Sequence, residues 1–468
     1  MSNSYKSVQL KKYDTAIDDG VDSQVTKLNL PKPSLALFFL LAVIFIIFST
    51  IFEPAYMPAV PLVAGARMFI QDLFLWVLVL FAIMSSMSHN KLAIQSPVGK
   101  YVIIFFVIVV IEAMYAIVVT GNPIFSVYND VKPFFYYLLF FPVIWCFGSE
   151  KGIDWIIKLW AVLALFGAML YIFQFVFGQL SIFENYSWLY SGSLNIGTGG
   201  AQSVSVDFKR LISQGTVLFR IMLFVAFSLW LYTDGKTKKW WGVLALILAA
   251  QVALQFTRGM YITTILALIA MPFIVKDKKI SKKIINILML SIVVITFMVI
   301  YKVMFSSGKG GYSLIEFIGQ RFFNAVTQSG SDSSLDGRRQ GAQMMFDLIE
   351  THGNWFLGLG FGNGVNYGDS TYVSLLLKTG WVGTIAFLVL FGVSSLRAFK
   401  NLKYVTDPIQ KAILLALFVS TGRHLVNGIT QADFTYNVRI PALIISVAIM
   451  EVIIVRALNQ RQRINHVQ

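Results

Sequence analysis

The sequence predicts an all-α polytopic membrane protein with about 12 transmembrane helices and one long extracytoplasmic loop carrying short amphipathic helices. Three observations carry this expectation. Hydrophobic residues make up 57% of the 468-residue chain and charged residues only 13%, with a mean hydropathy of +0.70. Soluble globular chains do not have that balance. Apolar stretches close to the roughly 20 residues needed to cross a bilayer recur along the chain. A single polar, glycine-rich break over 305–370 separates two of them, and the other connections are short.

Taken in order, residues 1–33 are polar and mixed in charge and read as a cytoplasmic tail. Such a tail is too long for the n-region of a cleaved signal peptide, so the first apolar stretch reads as an uncleaved anchor. Residues 34–304 carry nine expected spans, at 34–52, 69–86, 101–119, 133–148, 153–177, 212–232, 240–256, 261–275 and 284–304. The fourth is short and aromatic and runs between Pro133 and Pro142. The seventh and eighth are separated only around Thr257-Arg258-Gly259 and read as a tight hairpin. The 305–370 loop follows. Residues 371–457 hold three more spans, at 371–395, 410–429 and 439–457, and 458–468 form a second cytoplasmic tail. No internal repeat is visible, which disfavours repeat-built transporter folds.

The formal net charge is +15, a value that by itself suggests nucleic acid. Its distribution excludes that reading. Lysines cluster in alternate connections, at Lys236, Lys238 and Lys239, at Lys276, Lys278, Lys279, Lys282 and Lys283, and at Lys400 and Lys403. That alternation is the positive-inside pattern. It places both termini in the cytoplasm and the 305–370 loop outside. The one cysteine, Cys146, excludes a disulfide framework, and the four histidines show no ligand spacing. No metal and no cofactor are expected.

Arginine departs from the lysine pattern. Nine of the thirteen arginines fall on the outer side under this topology: Arg67, Arg210, Arg220, Arg258, Arg321, Arg338, Arg339, Arg423 and Arg439. Topology alone disfavours positive charge there. A guanidinium binds phosphate oxygens bidentately and is less costly to desolvate than an ammonium, so the set suits a diphosphate at headgroup depth. Arg220 and Arg258 lie against the apolar body of spans, where an ionisable residue marks function by default. The plainer alternative is pairing with an acid such as Asp72, Asp130 or Asp433, or snorkelling to headgroups. Glu112 is the one acid read as deep in a span.

Within the loop, SGSDSSLDG (329–337) has linker composition. QGAQMMFDLIE (340–350) reads as an amphipathic surface helix. Gly358, Gly360, Gly362 and Gly364 match neither a dinucleotide fingerprint nor a P-loop. They read as tight turns, with an anion cradle of backbone N–H groups as the alternative. Lys378, two turns into the next span, is expected to face the interior and to meet an acid or a phosphate. Tyr186, Trp188 and Tyr190 read either as sugar-stacking residues or as part of an interfacial aromatic belt.

Three segments carry a family resemblance. FTRGMYITTILAL (256–268) looks like a short Ser/Thr-Arg-Gly turn between spans. DGRRQGAQMMFDLIETHGNWFLGLGFGNG (336–364) is similar to a Gly-Arg, amphipathic helix, Pro-Leu-Gly-x-Gly segment, with Asn354-Trp355-Phe356 in place of Asn-Pro-Leu. DSTYVSLLLKTGWVG (369–383) looks like the span that follows, with Asp369 and Ser370 spaced correctly from Gly380 and Gly383. Together they resemble the superfamily of Wzy-type O-antigen and polysaccharide polymerases and O-antigen ligases. Architecture resembles it over most of the chain, and the motifs cover only about 256–383.

The resemblance implies a glycosyltransferase at the periplasmic face of the bacterial inner membrane. It would transfer a growing glycan from undecaprenyl diphosphate to a sugar hydroxyl of an incoming undecaprenyl-diphosphate-linked oligosaccharide, with a chain-length-regulating co-polymerase and membrane lipids as partners. No sugar nucleotide is needed. Arginines would stabilise charge developing on the leaving diphosphate, and a carboxylate or imidazole would take the acceptor proton. By the family's Arg-Gly and Gly-Arg positions, Arg258 and Arg338 would contact the diphosphate, with Arg339 as the adjacent alternative. Arg220 and Arg423 join them on membrane depth alone. For the base, Asp369 stands where the ligases carry histidine, and His352 is the other candidate. Asp369 equally suits the N-cap of the following span. That missing histidine favours a polymerase over an O-antigen ligase acting on lipid A core. A polytopic carrier of polysaccharide or lipid-linked oligosaccharide is the reading from another class. It would require ionisable groups near mid-membrane and interrupted helices.

Overall fold

A computed structural model describes residues 59–61, 67–89, 96–177, 193–195, 209–211, 216–255, 258–275, 277–289, 333–365, 367–435 and 439–467. The tail 1–33, the first span, most of the ninth, the loop residues 305–332 and Tyr186, Trp188 and Tyr190 lie outside the described residues.

Thirteen helices run through the described residues: α1 (Ile70–His89), α2 (Pro97–Val118), α3 (Ile124–Phe135), α4 (Phe140–Phe147), α5 (Glu150–Phe177), α6 (Thr216–Tyr232), α7 (Gly235–Ala253), α8 (Arg258–Ile274), α9 (278–289), α10 (Ser333–His352), α11 (Thr371–Asn401), α12 (Pro408–Asn427) and α13 (Ile440–Val467). The remaining regular structure is two 3₁₀ turns and two antiparallel pairs of three-residue strands, β1 (Ala59–Pro61) with β2 (Arg67–Phe69) and β3 (Ser193–Asn195) with β4 (Lys209–Leu211). Six helical segments among the described residues are long and apolar enough to cross a membrane: Pro97–Val118, Ile124–Phe147, Glu150–Phe173, Thr371–Tyr404, Pro408–Asn427 and Ile440–Arg463. The chain is an all-helical membrane protein.

Local sequence explains the helix ends. Ser96 caps α2 by accepting from Gly99 N, and Pro97 supplies the first helical residue. Asp407 and Pro408 do the same for α12. Pro133 lies inside α3 and cannot donate to the preceding turn. The chain tightens into 3₁₀ geometry over Tyr136–Leu139 and then resumes as α4. The short fourth span of the sequence is therefore part of a longer segment that begins at Ile124.

Burial ranks the helices. In α13 the apolar window is 89% buried, against 28% in α2, so α13 is central and α2 faces outward. An aromatic cluster joins the layers. Phe387 and Phe391 of α11 stack edge-on against Phe434, with centroids 5.1 and 4.7 Å away. Tyr137 donates to the Phe434 carbonyl at 3.1 Å. Packed together, these rings fix the loop that follows α12 by close van der Waals contact.

Three sequence expectations change. The 329–337 stretch is not a linker throughout: α10 begins at Ser333, so Arg338 and Arg339 lie inside the helix rather than before it. Serine and aspartate suit a helix N-terminus as well as a linker, which is why composition misread it. The N-cap of α11 is Ser370, whose hydroxyl accepts from Val373 N, and not Asp369. Glu112 is not the one deep acid, because Glu451 is also buried within α13. Its partners Ser96 and Arg397 come from distant parts of the chain.

Candidate functional site

The last turn of α12 and the loop after it form the centre of the site. Arg423, His424 and Asn427 all face inward, each less than 4% exposed. Six residues past the end of the helix, Asp433 is fully buried, because Phe434 beside it is anchored in the aromatic cluster. Its Oδ2 accepts from His424 Nδ1 and Asn427 Nδ2, each at 2.9 Å, and lies 3.5 Å from Arg220 Nη1. Its Oδ1 accepts from Arg439 Nη1 at 3.0 Å. Burial alone raises the Asp433 carboxyl pKa. The His424 hydrogen bond and the Arg220 and Arg439 charges outweigh it and hold the group well below the usual carboxylate range. Asp433 is therefore an ionised hub with three guanidinium groups about it.

Arg423 is placed differently from its neighbours. Its Nε donates to Thr264 Oγ1 of α8 at 3.0 Å. Its Nη1 and Nη2 find no hydrogen-bond partner among the described residues.

The same loop collects the other motif segments. Thr371 N donates to the Gly428 carbonyl at 2.8 Å, and Thr371 Oγ1 to the Gln431 carbonyl at 2.9 Å. The N-terminus of α11 thus sits on the loop. Gly259, at the start of α8, is so close that an added Cβ would come 3.1 Å from Thr430 Oγ1 and 3.9 Å from Asn427 Oδ1. The Arg258-Gly259 turn is therefore brought to the same place, although the Arg258 side chain lies outside the described residues. Two helix N-termini, each a partial positive charge, meet the arginine cluster there.

A more exposed tier lies beside it. Arg338 Nε is 3.8 Å from Asp369 Oδ1, with both side chains about half exposed. Tyr367 donates to the Arg338 carbonyl at 2.9 Å and straps α10 to the start of α11. Arg339 is exposed next to Arg338. His352 is exposed at the far end of α10, with Nδ1 2.7 Å from Thr351 Oγ1. Fourteen residues of helix separate it from Arg338, about 21 Å along the axis. The structure thus joins Arg338 to Asp369 and Arg220 to Asp433, and ties Arg423 to Thr264, but does not bring His352 to Arg338.

The glycine run is a set of turns. Gly358, Gly360, Gly362 and Gly364 all have φ between +70° and +79°, where only glycine is at ease. Protein acceptors take the N–H groups that fix the run: Leu359 N donates to the Leu377 carbonyl at 2.7 Å, and Gly362 N to Asp130 Oδ2 at 2.9 Å. Asp130 Oδ1 also pairs with Lys378 Nζ at 3.0 Å, so the lysine meets an acid. α11 breaks at Gly380 (φ 56°, ψ −158°), and the Phe356 carbonyl occupies the space a side chain would need.

Sequence reasoning missed His424 and Asn427 and named Asp433 only as a possible partner for arginine. The signal was present as the spacing Arg423, His424, Asn427, one polar face inside an otherwise apolar span. No group of His, Cys, Asp and Glu among the described residues is arranged to hold a metal ion. A scan against protein-family models finds no matching family, and a search of curated proteins finds no match.

Proposed function

We propose that this protein is a lipid-linked repeat-unit polymerase of the Wzy type. It spans the bacterial inner membrane about 12 times, with both termini cytoplasmic and the site end periplasmic. It transfers the growing glycan from undecaprenyl diphosphate to a hydroxyl of an incoming lipid-linked oligosaccharide and releases undecaprenyl diphosphate. One observation supports the reading above others. Of the three segments that carry the resemblance, the described parts of 256–268 and 369–383 meet at the loop after α12, where guanidinium groups outnumber carboxylates among the described residues, and 336–364 joins them at the start of α11 through Arg338 and Asp369.

In this reading the exposed tier takes the substrate. Arg338, Arg339 and Arg258 hold the diphosphate as a preorganised counter-charge. Asp369 takes the acceptor proton in the oxocarbenium-like transfer, and its proximity to Arg338 places base and leaving group side by side. The buried tier of Arg220, Arg423 and Asp433 sets the positive potential behind them. A separate co-polymerase sets chain length.

The test is turnover by the purified full chain in nanodiscs, with native undecaprenyl-diphosphate-linked repeat units. A ladder of product lengths, lost on Arg338→Ala and Arg258→Ala while the variants stay folded, supports the polymerase. No ladder from folded wild-type protein and native substrate rejects it. A ligase would instead label lipid A core in the same mixture.

A carrier of lipid-linked oligosaccharide is the second reading, favoured by two observations. α11 is interrupted at Gly380, and Glu112 is buried with Oε2 lacking a partner among the described residues. Both are devices of coupled transport. Movement of labelled lipid-linked substrate across liposomes, without elongation, would select that reading.

A further inference from the structure

We propose that the fully buried tier holds a compact monovalent anion of the chloride class, bound by the terminal nitrogens of Arg423 between α6, α8 and α12. The inference goes beyond the polymerase reading and does not depend on it.

Charge is the first argument. Three guanidinium groups, on Arg220, Arg423 and Arg439, surround the single carboxylate of Asp433. Both oxygens of that carboxylate are already engaged, Oδ2 by Arg220, His424 and Asn427 and Oδ1 by Arg439. Among the described residues Arg423 is left with one neutral hydrogen-bond partner, Thr264. It feels repulsion from Arg220 and a smaller attraction from Asp433, a carboxylate already shared by two other guanidiniums. An arginine cannot shed its proton to escape this position, and a buried cation whose nearest carboxylate is already taken by two others is unfavourable.

Geometry is the second argument. The Nη1 and Nη2 atoms of Arg423 are buried donors with no partner among the described residues. Ser420, one turn earlier on α12, presents a third such donor, since its hydroxyl also lacks a partner there. Residues three apart share a helix face. Two N–H groups in a planar fork, with a hydroxyl on the same helix face, suit a spherical ion.

Burial selects the class of ion. Arg220, Arg423, His424, Asn427 and Asp433 are each no more than 3% exposed. A diphosphate joined to a polyprenyl chain on one side and a glycan on the other cannot enter a closed interior, whereas a halide can. The exposed pair of Arg338 and Asp369 is open to the larger anion.

The experiment uses the full chain in detergent. Unfolding midpoints are compared in sodium gluconate and in sodium chloride or bromide at equal ionic strength. We expect the midpoint to rise by a few degrees and to saturate with halide, since a ligand that binds only the folded state stabilises by mass action. Arg423→Gln removes that dependence, and Arg456→Gln at the opposite end keeps it. If Arg423→Gln does not fold, crystals of the wild-type chain grown in bromide decide the matter: an anomalous peak against the Arg423 guanidinium supports the site, and its absence at saturating bromide overturns it. A midpoint indifferent to halide also overturns the proposal. So does a midpoint raised through Arg423 by inorganic diphosphate and not by halide, which would move Arg423 into the substrate site. No arm reads turnover, so failure here and failure of the polymerase reading are separable.

Discussion

The two ends of the helical bundle each bury charge, and they do so in opposite ways. At the end opposite the site, Glu451 accepts from Ser96 at 2.8 Å and from both Nε and Nη2 of Arg397, at 3.1 and 2.9 Å. One carboxylate meets one guanidinium in a bidentate pair, and Arg397 keeps part of its surface in solvent. At the site end, the Asp433 carboxylate meets two guanidiniums, those of Arg220 and Arg439, and Arg423 beside them has two donors without a partner among the described residues. A balanced, satisfied pair fastens helices together. An unbalanced, unsatisfied cluster stores positive potential, and stored potential is useful only toward an anion. The contrast separates structural from functional charge without reference to any relative.

The largest test of that contrast removes each hub. Asp433→Asn leaves the Arg220 and Arg439 guanidinium groups without their carboxylate and is expected to cost about 3–5 kcal/mol. Glu451→Gln is expected to cost about 1–3 kcal/mol, because Arg397 is partly hydrated and the amide retains an acceptor. Unfolding midpoints in detergent compare the two, and equal losses would erase the distinction. Next is Gly380→Ala, which places a side chain at positive φ against the Phe356 carbonyl. A cost of about 1–3 kcal/mol is expected, with faster amide exchange over 353–359. Unchanged exchange there would show that the glycine hairpin does not depend on the break in α11.

A finer comparison removes one arginine from each end in halide-free buffer. Arg397→Gln weakens a satisfied pair and should cost about 1–3 kcal/mol. Arg423→Gln removes a buried charge that no carboxylate bonds among the described residues, so in halide-free buffer it should leave stability unchanged or raise it. The reverse order would mean that Arg423 has a structural partner. The smallest expected effect is a null against pH. The Asp433 pKa is lowered on folding, so its contribution is complete above the ordinary carboxylate value and is lost only as pH falls through the depressed one. The stability gap between wild type and Asp433→Asn should therefore stay constant from pH 7 down to about 4. A gap that closes near pH 6 would contradict an ionised hub.

Composition and the length of the apolar stretches determined the class of this protein: helical, membrane-embedded, with charge unevenly divided between its faces. These are sums over local sequence, and helix formation in an apolar solvent is a local necessity because each backbone group must find its partner within the segment. Local rules also set the caps at Ser96 and Asp407. The position of Lys378 two turns into an apolar span points it inward, toward an acid or a phosphate, and packing supplies the acid, Asp130. The start of α10 escaped them, because serine and aspartate serve a linker and a helix N-terminus alike. What the arginines do was not local. Arg220 lies 213 positions from Asp433, and Arg423 159 positions from Thr264. No periodicity couples such positions. Asp433 became the hub because Phe434 is locked among Phe387, Phe391 and Tyr137, which carries the neighbouring carboxylate into the interior. The sequence determined how many arginines the chain carries and where along it they fall. Only tertiary packing decided that Arg423 would be buried with two donors unpartnered among the described residues.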